Sequence, residues 1–582
     1  MLERRWRRAA IGGALGVLVG VGTIGASAPA QAQDGGDLVE ACAPITAVPE
    51  VGPRACKSVE SGTWLSAQVC RLVIGRGETV CPTLDGRPVH EPAMAAFEAS
   101  WLARALALQR QLDLDVPLSE TLLPHTHNSA NSSAYPPSVS TLDANQVLTL
   151  TDQLRLGMRA IEVDVHWTPN PAGDPDQGYR AVVQCHGEPV DTPAGVVHAG
   201  CSTDMMLVDL LAELRAWLAR PANADEVVLL YLENALDDDP AAHAAAVAAI
   251  EETVGDLVAR PDPGAGCQAL PVARSKAELL EAGTRVLITG NCGPGAWTDW
   301  VFERGAGWDE SGGSTFDCTD ERTDDPNDPD DIEDFDGILV RRYEDSTWLS
   351  AMAGSGSHRD AGTIADMVRC GVNLVGFDQL HPGDDRLPGL VWSWRVDEPA
   401  VDATGTCAAL GSDGRFFADP CATPRPVACR TTTGGWAVTA DAVAWSAGEA
   451  ACQTAGHTGA GVPANGWDSG LLREAADQAG SPEVWLAYGQ DSADVWVTGM
   501  STAATDPAAV SNVSASGRSG ERLADAQPQN GPPAASGGAV RSRPSRTSTS
   551  LPVTGGTPQL LAVMLIASVL VAGVLLWRRQ PT

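Results

Sequence analysis

The chain has few basic residues for its length. It holds 39 Lys and Arg against 74 Asp and Glu among 582 residues, so its formal net charge is −35 at pH 7. Nucleic-acid binding needs a basic face that neutralises phosphates, and this balance argues against such a partner. The acidity fits an extracellular protein that tolerates or uses divalent cations, with simple solubility as the alternative.

The 14 cysteines include no C-x-x-C spacing. That absence removes the usual sequence sign of a zinc ribbon or a thioredoxin-like redox centre. An even number of cysteines spread along an exported chain predicts disulfide bonds. A chain of this length is also too long for one compact core, so two or three domains are expected.

Residues 1–32 have the order of a secretory signal peptide. Four arginines precede an apolar stretch over residues 9–26, and an A-x-A site follows it. This order predicts export, with cleavage after Ala30 or Ala32. A retained membrane anchor is the alternative.

The C-terminus carries three signals in sequence. Leu551-Pro-Val-Thr-Gly555 precedes an apolar run over 560–577, which is long enough to cross a bilayer, and two arginines follow. The arrangement resembles the sorting signal of Gram-positive cell-wall proteins. That resemblance implies that sortase cuts between Thr554 and Gly555 and joins the protein to peptidoglycan. A plain C-terminal membrane anchor is the alternative.

Two further segments flank the folded part. Residues 501–550 are rich in Ser, Gly, Ala, Pro and Thr, which predicts a disordered spacer between the folded part and the sorting signal at 551–582. Residues 33–111 predict a disulfide-tied extension that ends in a helix over Glu91–Gln111. The extension's four cysteines allow three pairings, and the sequence does not choose among them: Cys42, Cys56, Cys70 and Cys81.

Strand-like and helical runs alternate over residues 112–390. This alternation predicts an α/β fold, a TIM-type (β/α) barrel whose active site lies at the carboxyl ends of the strands. The predicted strands are Arg159–Val165, the run 182–187, Val227–Leu232, Arg285–Ile288, Gly337–Val340 and Val372–Phe377. The predicted helices are Thr141–Leu156, Asp204–Leu218 and Ala241–Val258.

Groups that carry protons or bind metal follow four apolar runs of this region. Glu162 and Asp164 are two residues apart and therefore lie on one face of a strand. Carboxylates that point into a barrel are costly unless they bind something. Oxygen ligands of this kind suit Ca²⁺ or Mg²⁺ better than zinc, and imidazoles suit proton transfer. The complete set is His125, His127, Asn128, Glu162, Asp164, His186 and Glu233.

These runs resemble phosphatidylinositol-specific phospholipase C, particularly its calcium-dependent branch. The resemblance is carried over residues 112–390 by His127-Asn128, the block from Gln153 to Asp164, Cys185-His186-Gly187 and Leu232-Glu233-Asn234. In the metal-independent branch an arginine ends the second strand, whereas this chain has Asp164 there. The metal-dependent interpretation is therefore favoured.

The resemblance implies a role for each residue. Asn128, Glu162, Asp164 and Glu233 would hold calcium, with magnesium as the alternative. His127 would stabilise or deprotonate at the phosphorane, His186 would protonate the leaving alkoxide, and His125 would be structural. An inositol hydroxyl would attack phosphorus, diacylglycerol would leave and a cyclic phosphodiester would form. Further candidates are Arg341 and Arg342 for the phosphate or head group, although a surface salt bridge explains them equally well, and Asp378 for orienting an imidazole.

Three alternatives remain open from the sequence. Glycerophosphodiester phosphodiesterases and sphingomyelinase D-like enzymes use similar His, Glu-x-Asp and His patterns on the same fold. A surface adhesin with an inactive barrel is the third alternative. The enzyme hypothesis is favoured because both histidines and all four candidate ligands are present.

Residues 391–500 resemble a C-type lectin-like domain, a smaller α+β fold. Its two halves stand in swapped order, which indicates a circular permutant or partial tandem copies. The sugar-binding motif of that fold is not intact, because Ala400 follows Glu398-Pro399. A protein, glycan or lipid surface is the expected ligand class, or the region merely extends the fold. The resemblance implies Cys407–Cys421 and Cys429–Cys452 pairs, which leaves Cys185–Cys201, Cys267–Cys292 and Cys318–Cys370 as pairs of neighbours in the chain.

Overall fold

A computed structural model describes most of the chain between residues 91 and 500. The described ranges are 91–135, 144–169, 180–192, 195–199, 201, 205–236, 238–318, 337–347, 350, 356–400, 405–491 and 494–500, all within one compact unit. The predicted signal peptide, N-terminal cysteines, spacer and sorting signal lie outside these ranges. Within them, every helix is too short or too polar to span a bilayer.

The described elements follow one another in the order of an α/β barrel, followed by a smaller α+β region. The helices are α1 (Glu91–Glu98), α2 (Trp101–Leu112), α3 (Leu150–Arg155), α4 (Leu207–Leu218), α5 (Pro240–Thr253), α6 (Lys276–Glu281), α7 (Ala361–Cys370), α8 (Gly448–Thr454) and α9 (Gly466–Gln478). The strands before residue 400 are β1 (His125–Thr126), β2 (Ala160–Pro169), β3 (Arg180–Gln184), β4 (Glu188–Thr192), β5 (Gly195–Ala199), β6 (Val228–Ala235), β7 (Val258–Ala259), β8 (Val286–Gly290), β9 (Phe302–Glu303), β10 (Trp308–Gly312), β11 (Leu339–Tyr343) and β12 (Leu374–Phe377), of which β4 and β5 form a separate two-stranded sheet. The later strands are β13 (Cys407–Leu410), β14 (Phe416–Asp419), β15 (Ala428–Arg430), β16 (Trp436–Val438), β17 (Gly459–Ala460), β18 (Val484–Gln490) and β19 (Trp496–Thr498).

The main sheet is parallel and curled. Its strand order is β10-β11-β12-β1-β2-β6-β8-β7, and β9 pairs with the upper part of β8. In the described ranges the ladder does not close between β9 and β10. An ion pair between Arg304 Nη1 and Glu310 Oε1 (2.6 Å) spans the residues that follow β9 and those of β10. The fold is therefore a parallel half-barrel rather than a fully hydrogen-bonded ring.

Side-chain alternation divides the inner face of the sheet into levels. The lowest level is apolar and buried: Leu123, Ala160, Leu229, Leu287, Leu339 and Leu374. Two residues further along each strand, the same face carries Glu162, Tyr231, Thr289, Arg341 and Gly376. Because all these strands run in one direction, the polar levels collect at their carboxyl ends.

Two predicted helices have different bounds. The helix predicted over Thr141–Leu156 begins only at Leu150, where the Thr149 side chain accepts a hydrogen bond from Asp152 N. The residues before it serve the site instead, as described below. The helix predicted over Glu91–Gln111 is two helices, because Ser100 adopts extended backbone and caps the second one.

The run 182–187 is not a barrel strand. Its strand, β3, pairs antiparallel with the second half of β2, with Val165 opposite Gln184. β2 extends ten residues, beyond the other barrel strands, and β3 returns along this extension. The predicted parallel strand is therefore the second arm of a hairpin above the barrel mouth.

Residues 405–500 form a small α+β region with two antiparallel sheets, β14-β13-β18-β19 and β16-β15-β17. A buried aromatic group centred on Trp394 joins it to the preceding chain, with the Trp496 ring centroid 4.7 Å away. Helix α9 packs against α7 of the barrel, and Trp101 Nε1 donates to Glu398 O at 2.7 Å. The aromatic packing around Trp394 and the contact between α9 and α7 make residues 405–500 part of the same compact unit as the barrel.

All five disulfides predicted for this part of the chain are confirmed. They are Cys185–Cys201, Cys267–Cys292, Cys318–Cys370, Cys407–Cys421 and Cys429–Cys452, with Cα–Cα distances between 5.2 and 5.7 Å. These separations are typical of disulfide geometry. They fit the predicted oxidising compartment, in which such bonds persist.

Candidate active site

A histidine and an aspartate meet where β1 and β12 end. The two strands are parallel neighbours with Thr126 opposite Phe377, so the next residue of each, His127 and Asp378, lie side by side. His127 Nδ1 and Asp378 Oδ2 are 3.1 Å apart. Asp378 also accepts from Ser346 N at 2.6 Å. This pairing fixes the imidazole and leaves its Nε2 for a substrate.

The pair is buried, and its charges stabilise each other. Burial alone lowers the pKa of His127, but the Asp378 and Glu162 charges outweigh it and raise that pKa to about 9. Burial raises the pKa of Asp378 to about 6, against the opposing effect of His127. At neutral pH the side chains therefore form an imidazolium–carboxylate pair.

Asn128 directs its side-chain oxygen into the site. Its backbone is left-handed, with φ 46°, a conformation that asparagine tolerates better than most residues. Its N–H donates to Glu162 Oε2 at 3.1 Å, and its Nδ2 donates to Asn145 Oδ1 at 3.2 Å. The amide orientation is thereby assigned, and Asn128 Oδ1 is buried with no protein hydrogen-bond partner.

Asp164 and Glu233 lie opposite each other on β2 and β6. Burial, followed by the Glu233 and Glu162 charges, raises the pKa of Asp164 well above its usual value. Desolvation and then the Glu162 charge raise the pKa of Glu233, although that side chain stays open to solvent on one side. Asp164 Oδ1 is buried with no protein hydrogen-bond partner. The two carboxyl groups therefore have no lysine or arginine partner on β2 or β6.

Arg341 brings a positive charge into the same level as Glu162. Its Nη2 pairs with Glu162 Oε2 at 2.5 Å and its Nη1 with Glu310 Oε2 at 2.8 Å. The guanidinium lies 4.0 Å from the Tyr343 ring centroid, and its side chain is 3% exposed. Two carboxylates and an aromatic face therefore hold this arginine in one place.

His125 contacts Arg341 from within the same level of the inner face. It is 2% exposed, and its Nε2 accepts from Arg341 Nε at 3.3 Å. Burial, followed by the Arg341 charge, holds the pKa of His125 well below its usual range, so the ring is neutral. A Cβ on Gly376 would lie 2.3 Å from His125 Nε2. Only glycine at 376 leaves room for this ring.

A second buried ion cluster lies behind Asp378. Glu344, which follows β11, accepts from Asp378 N at 3.0 Å and pairs with Arg386 Nη1. Arg386 also pairs with Asp384 Oδ2 at 2.5 Å. Although burial opposes it, the Arg386 charge holds the pKa of Glu344 near 2. The cluster anchors the backbone that presents Asp378 to His127.

A polar cavity of about 420 Å³ adjoins the site on the β8–β10 side. Its wall includes Asn291, which follows β8 in register with Glu233, and Arg304, Trp308 and Glu310. Glu310 links this wall to Arg341. The volume lies in the range of small-molecule sites.

Comparison with known proteins identifies the family of this strand-end site. Residues 85–384 match the family model described as the Rv2075c PI-PLC-like domain. The chain is 33% identical over 519 residues to uncharacterized protein Rv2075c of Mycobacterium tuberculosis H37Rv, covering 84% of this chain and 99% of that protein. The chain belongs to the Rv2075c PI-PLC-like family.

Solved structures of phosphatidylinositol-specific phospholipases C are less similar to this chain in sequence. Phosphatidylinositol-specific phospholipase C from Listeria monocytogenes is 12% identical, covering 48% of this chain and 97% of that one, with TM-score 0.31. A calcium-dependent phosphoinositol-specific phospholipase C from Pseudomonas sp. is 13% identical, covering 47% and 92%, with TM-score 0.25. Because both TM-scores are below 0.5, the family assignment rests on the sequence matches.

Within this PI-PLC-like domain, most of the predicted residues come together. His127, Asn128, Glu162, Asp164, Glu233, Arg341 and Asp378 line the inner face or its rim. His186 is exposed on the β2–β3 hairpin, next to Cys185, whose N–H donates to Asp164 O at 3.1 Å. The hairpin thereby brings His186 to the rim beside Asp164.

Arg342 is not brought into the cluster. Adjacent strand residues point to opposite faces, so Arg342 lies on the outer face of β11, where it pairs with Asp309 Oδ2 at 2.6 Å. Arg342 thus forms a salt bridge away from the inner face, but a buried one rather than the surface salt bridge of the alternative, whereas Arg341 belongs to the site. The alternation along Leu339–Tyr343 was a signal that separates the two arginines.

Several PI-PLC-like site residues were not predicted. Gln146 Nε2 donates to His127 O at 2.7 Å and to Phe377 O at 2.8 Å, and Asn145 orients Asn128. Both were assigned to a helix, and their spacing gave no contrary signal. Tyr343, whose ring centroid is 4.7 Å from that of His127, follows from the β11 alternation. Glu310 lies on β10, an edge strand that the sequence pattern does not predict.

The donor chemistry of the family site fits a hard divalent cation. Asn128 Oδ1 and Asp164 Oδ1 are buried oxygens without protein partners, and Glu233 is their neighbour. Glu162 is turned towards Arg341. Among the described ranges, one group of His, Cys, Asp and Glu has all ligand atoms within 4.8 Å of one another, namely His166, Cys185 and Cys201, and its cysteines form a disulfide. The carboxylates would therefore have to draw together around an ion.

Proposed function

We propose that this chain is an exported phosphoric diester hydrolase of the phospholipase C type. The observation that carries the proposal is the meeting of the His127–Asp378 pair with the unmatched oxygens of Asn128 and Asp164, beside Glu233. Phosphodiester cleavage needs stabilisation of negative charge on phosphorus and proton transfers on both sides of it. This site offers both kinds of group at one sheet edge.

His127 is suited to binding the phosphoryl group. Its Nδ1 is occupied by Asp378, so the imidazolium can donate from Nε2 to a phosphoryl oxygen. The raised pKa keeps that proton in place at neutral pH. Arg341 adds positive charge one level below, held by Glu162 and Glu310. Charge that develops on the phosphorane would thus meet preorganised cations.

Proton transfer would involve the rim. A hydroxyl oxygen of the substrate attacks phosphorus, and its proton passes to a carboxylate of the cluster. In the ion-free site, raised pKa values make Asp164 and Glu233 stronger bases than ordinary carboxylates. The bond from phosphorus to the alcohol oxygen breaks, and His186 gives that oxygen a proton. The products are a cyclic phosphodiester and a free alcohol such as diacylglycerol.

The proposal includes a calcium ion, with magnesium as the alternative. Asn128, Asp164 and Glu233 would hold it, with Glu162 contributing if its pairing with Arg341 loosens. A bound cation would neutralise charge on a phosphoryl oxygen and acidify a hydroxyl. The support is the pair of buried unmatched oxygens and the raised carboxyl pKa values.

The proposed setting is outside the cell, on the wall of a Gram-positive bacterium. It is supported by the export and sorting signals of the sequence and by the five disulfides. The lectin-like resemblance of residues 391–500 adds a possible glycan or protein ligand to the proposal. Fractionation of cells with and without Thr554→Ala tests the anchor: the variant should leave the wall fraction.

Product analysis tests the reaction. The full chain is incubated with phosphatidylinositol or a glycerophosphodiester, and soluble products are resolved by ³¹P NMR. Cyclic inositol phosphate from phosphatidylinositol is the expected result. Glycerol phosphate from the second substrate would support the glycerophosphodiesterase alternative. No turnover of either would favour the adhesin with an inactive barrel.

A further inference from the structure

The end of β6 is held in place from outside the barrel. Glu233 points towards the site, and the next residue, Asn234, points to the opposite face because strand side chains alternate. Asn234 Oδ1 accepts from Leu236 N at 3.0 Å. Its Nδ2 lies 2.9 Å from His243 Nε2. A residue of helix α5 therefore contacts the side chain of Asn234, the residue that directly follows Glu233.

The hydrogen-bond partners define how His243 is protonated. His243 Nδ1 is 2.9 Å from Asp239 O, which can only accept, so Nδ1 carries the hydrogen. Leu236 N–H fixes the Asn234 amide, so Asn234 Nδ2 donates and His243 Nε2 accepts. The ring is thus the neutral Nδ1–H form, with both nitrogens used. Each member of the chain has one possible orientation.

Packing leaves the imidazole no other position. His243 is 1% exposed, and the Trp297 ring meets it edge-on with centroids 5.0 Å apart. Trp297 Nε1 donates to Asn291 O at 3.0 Å, which ties the ring to the end of β8. A Cβ on Gly293 would lie 2.5 Å from His243 Nε2. The cluster formed by Asn234, His243, Trp297 and Gly293 is called the β6 clamp below.

We propose that His243 is a positioning residue that sets the direction of Glu233 through the β6 clamp. This inference rests on the proposed function, in which Glu233 helps to hold a divalent cation. Glu233 is the one candidate ligand with an open side, so its own surroundings restrain it less than burial restrains Asp164. The direction of the Glu233 side chain must therefore be restrained through the Glu233 backbone, and the β6 clamp provides that restraint. Residues that orient metal ligands typically affect affinity 10–100-fold.

Three variants of the full chain break the clamp differently. His243→Phe keeps ring volume and loses both hydrogen bonds, Asn234→Ala removes the other partner, and Gly293→Ala pushes the ring without removing a polar group. Val247→Ala is the matched control, because Val247 is buried one turn further along α5 and its apolar side chain forms none of the hydrogen bonds of the clamp. Asn234→Asp keeps the acceptor for Leu236 N and loses only the amide donor that faces His243.

Calcium titration by calorimetry and crystal structures of the same variants supply the readouts. We expect each clamp variant to weaken calcium binding about 10–100-fold, the His243→Phe/Asn234→Ala double variant to be no worse than either single one, and Asn234→Asp to recover part of the loss. Glu233 should be displaced in the His243→Phe structure. The Val247→Ala variant should bind calcium as the wild type does, despite a lower melting temperature.

Two results overturn the proposal: an unmoved Glu233 in the His243→Phe crystal structure, or an equal loss of affinity in Val247→Ala. The structural readout needs neither metal nor turnover. If the wild type binds no calcium and cleaves no phosphodiester, the proposed function fails while the position of Glu233 still decides whether the clamp exists. The two claims are therefore judged separately.

Discussion

The two sides of the strand-end site differ in how their charges are matched. On the β1–β12 side, His127 and Asp378 pair with each other, and Glu344 and Arg386 anchor the backbone behind them. On the β2–β6 side, Asn128 Oδ1 and Asp164 Oδ1 are buried without protein partners. On the first side the protein itself matches the charged groups, whereas on the second side two oxygens that could bind a cation have no protein partner.

This difference indicates that the two sides of the site have different roles. A buried, unmatched carboxylate costs free energy unless a ligand matches it, and Asp164 shows that cost as a raised pKa. The matched side can hold an imidazolium rigidly in the absence of any ligand. We infer that the β1–β12 side orients the proton donor and that the β2–β6 side is kept for a cation or the substrate's hydroxyls.

The largest expected effect comes from removing the imidazole of the matched side. His127→Ala should lower kcat for phosphatidylinositol by about 10²–10⁴-fold, because the group at the phosphoryl oxygen is lost. Steady-state kinetics measures it. His457→Ala, on the α+β region, is the control and should keep full activity. Equal kcat in both variants would remove His127 from the mechanism.

The next test breaks the support behind Asp378. Arg386→Met leaves Glu344 and Asp384 buried without their shared cation, which should lower the free energy of unfolding by about 3–5 kcal/mol. Arg369→Met removes an exposed pair with Asp366 and should cost under about 1 kcal/mol. Chemical denaturation of both variants compares them. A similar loss for the two would mean that the cluster is not a structural anchor.

Adjacent arginines give a sharper contrast on one strand. Arg341→Met should lower kcat about 10–100-fold, since Arg341 fixes Glu162. Arg342→Met should change kcat less than about threefold, because Arg342 lies on the outer face of β11, where it pairs with Asp309. The ratio of the two kcat values is the measurement. A larger effect from Arg342 would contradict the assignment of inner and outer faces.

The pH response separates the matched pair from an ordinary histidine. NMR titration of metal-free protein should place the pKa of His127 near 9, and Asp378→Asn should bring it below 6.5, because burial then dominates. Since folding raises this pKa, the pair's contribution to stability is full below about pH 6.5 and is lost as the pH rises through 9. The raised pKa of Asp378 adds a cost in stability that develops as the pH rises from about 4 to 6 and remains at higher pH. A midpoint near 6.5 in the wild type would show that the pairing is weak.

The sequence predicted the parts of the site that follow buried strands. Apolar runs ending in Glu162, Asp164 and Glu233 placed these acids correctly, because strand period and direction determine where such side chains meet. Five cysteine pairings were also predicted. Two of these pairings followed from the lectin-like resemblance, and the other three from pairing neighbouring cysteines along the chain.

Other parts depended on tertiary contacts that no periodicity encodes. Asn145 and Gln146 precede a helix by a few residues, and only packing against β1 and β12 turns them into site residues. The 182–187 run has the composition of a barrel strand, yet it pairs with the extension of β2 as a hairpin. The open edge between β9 and β10 was not predicted because both strands are short and show little hydrophobic alternation.

Chelation tests most directly whether the unmatched side is a cation site. Phosphatidylinositol cleavage is followed in calcium buffers and in excess chelator, with the same preparation restored by added calcium. We expect activity to fall at least tenfold in chelator and to return with calcium. Full activity in excess chelator would contradict the account, because the β2–β6 side would then act without the ion that its unmatched oxygens predict.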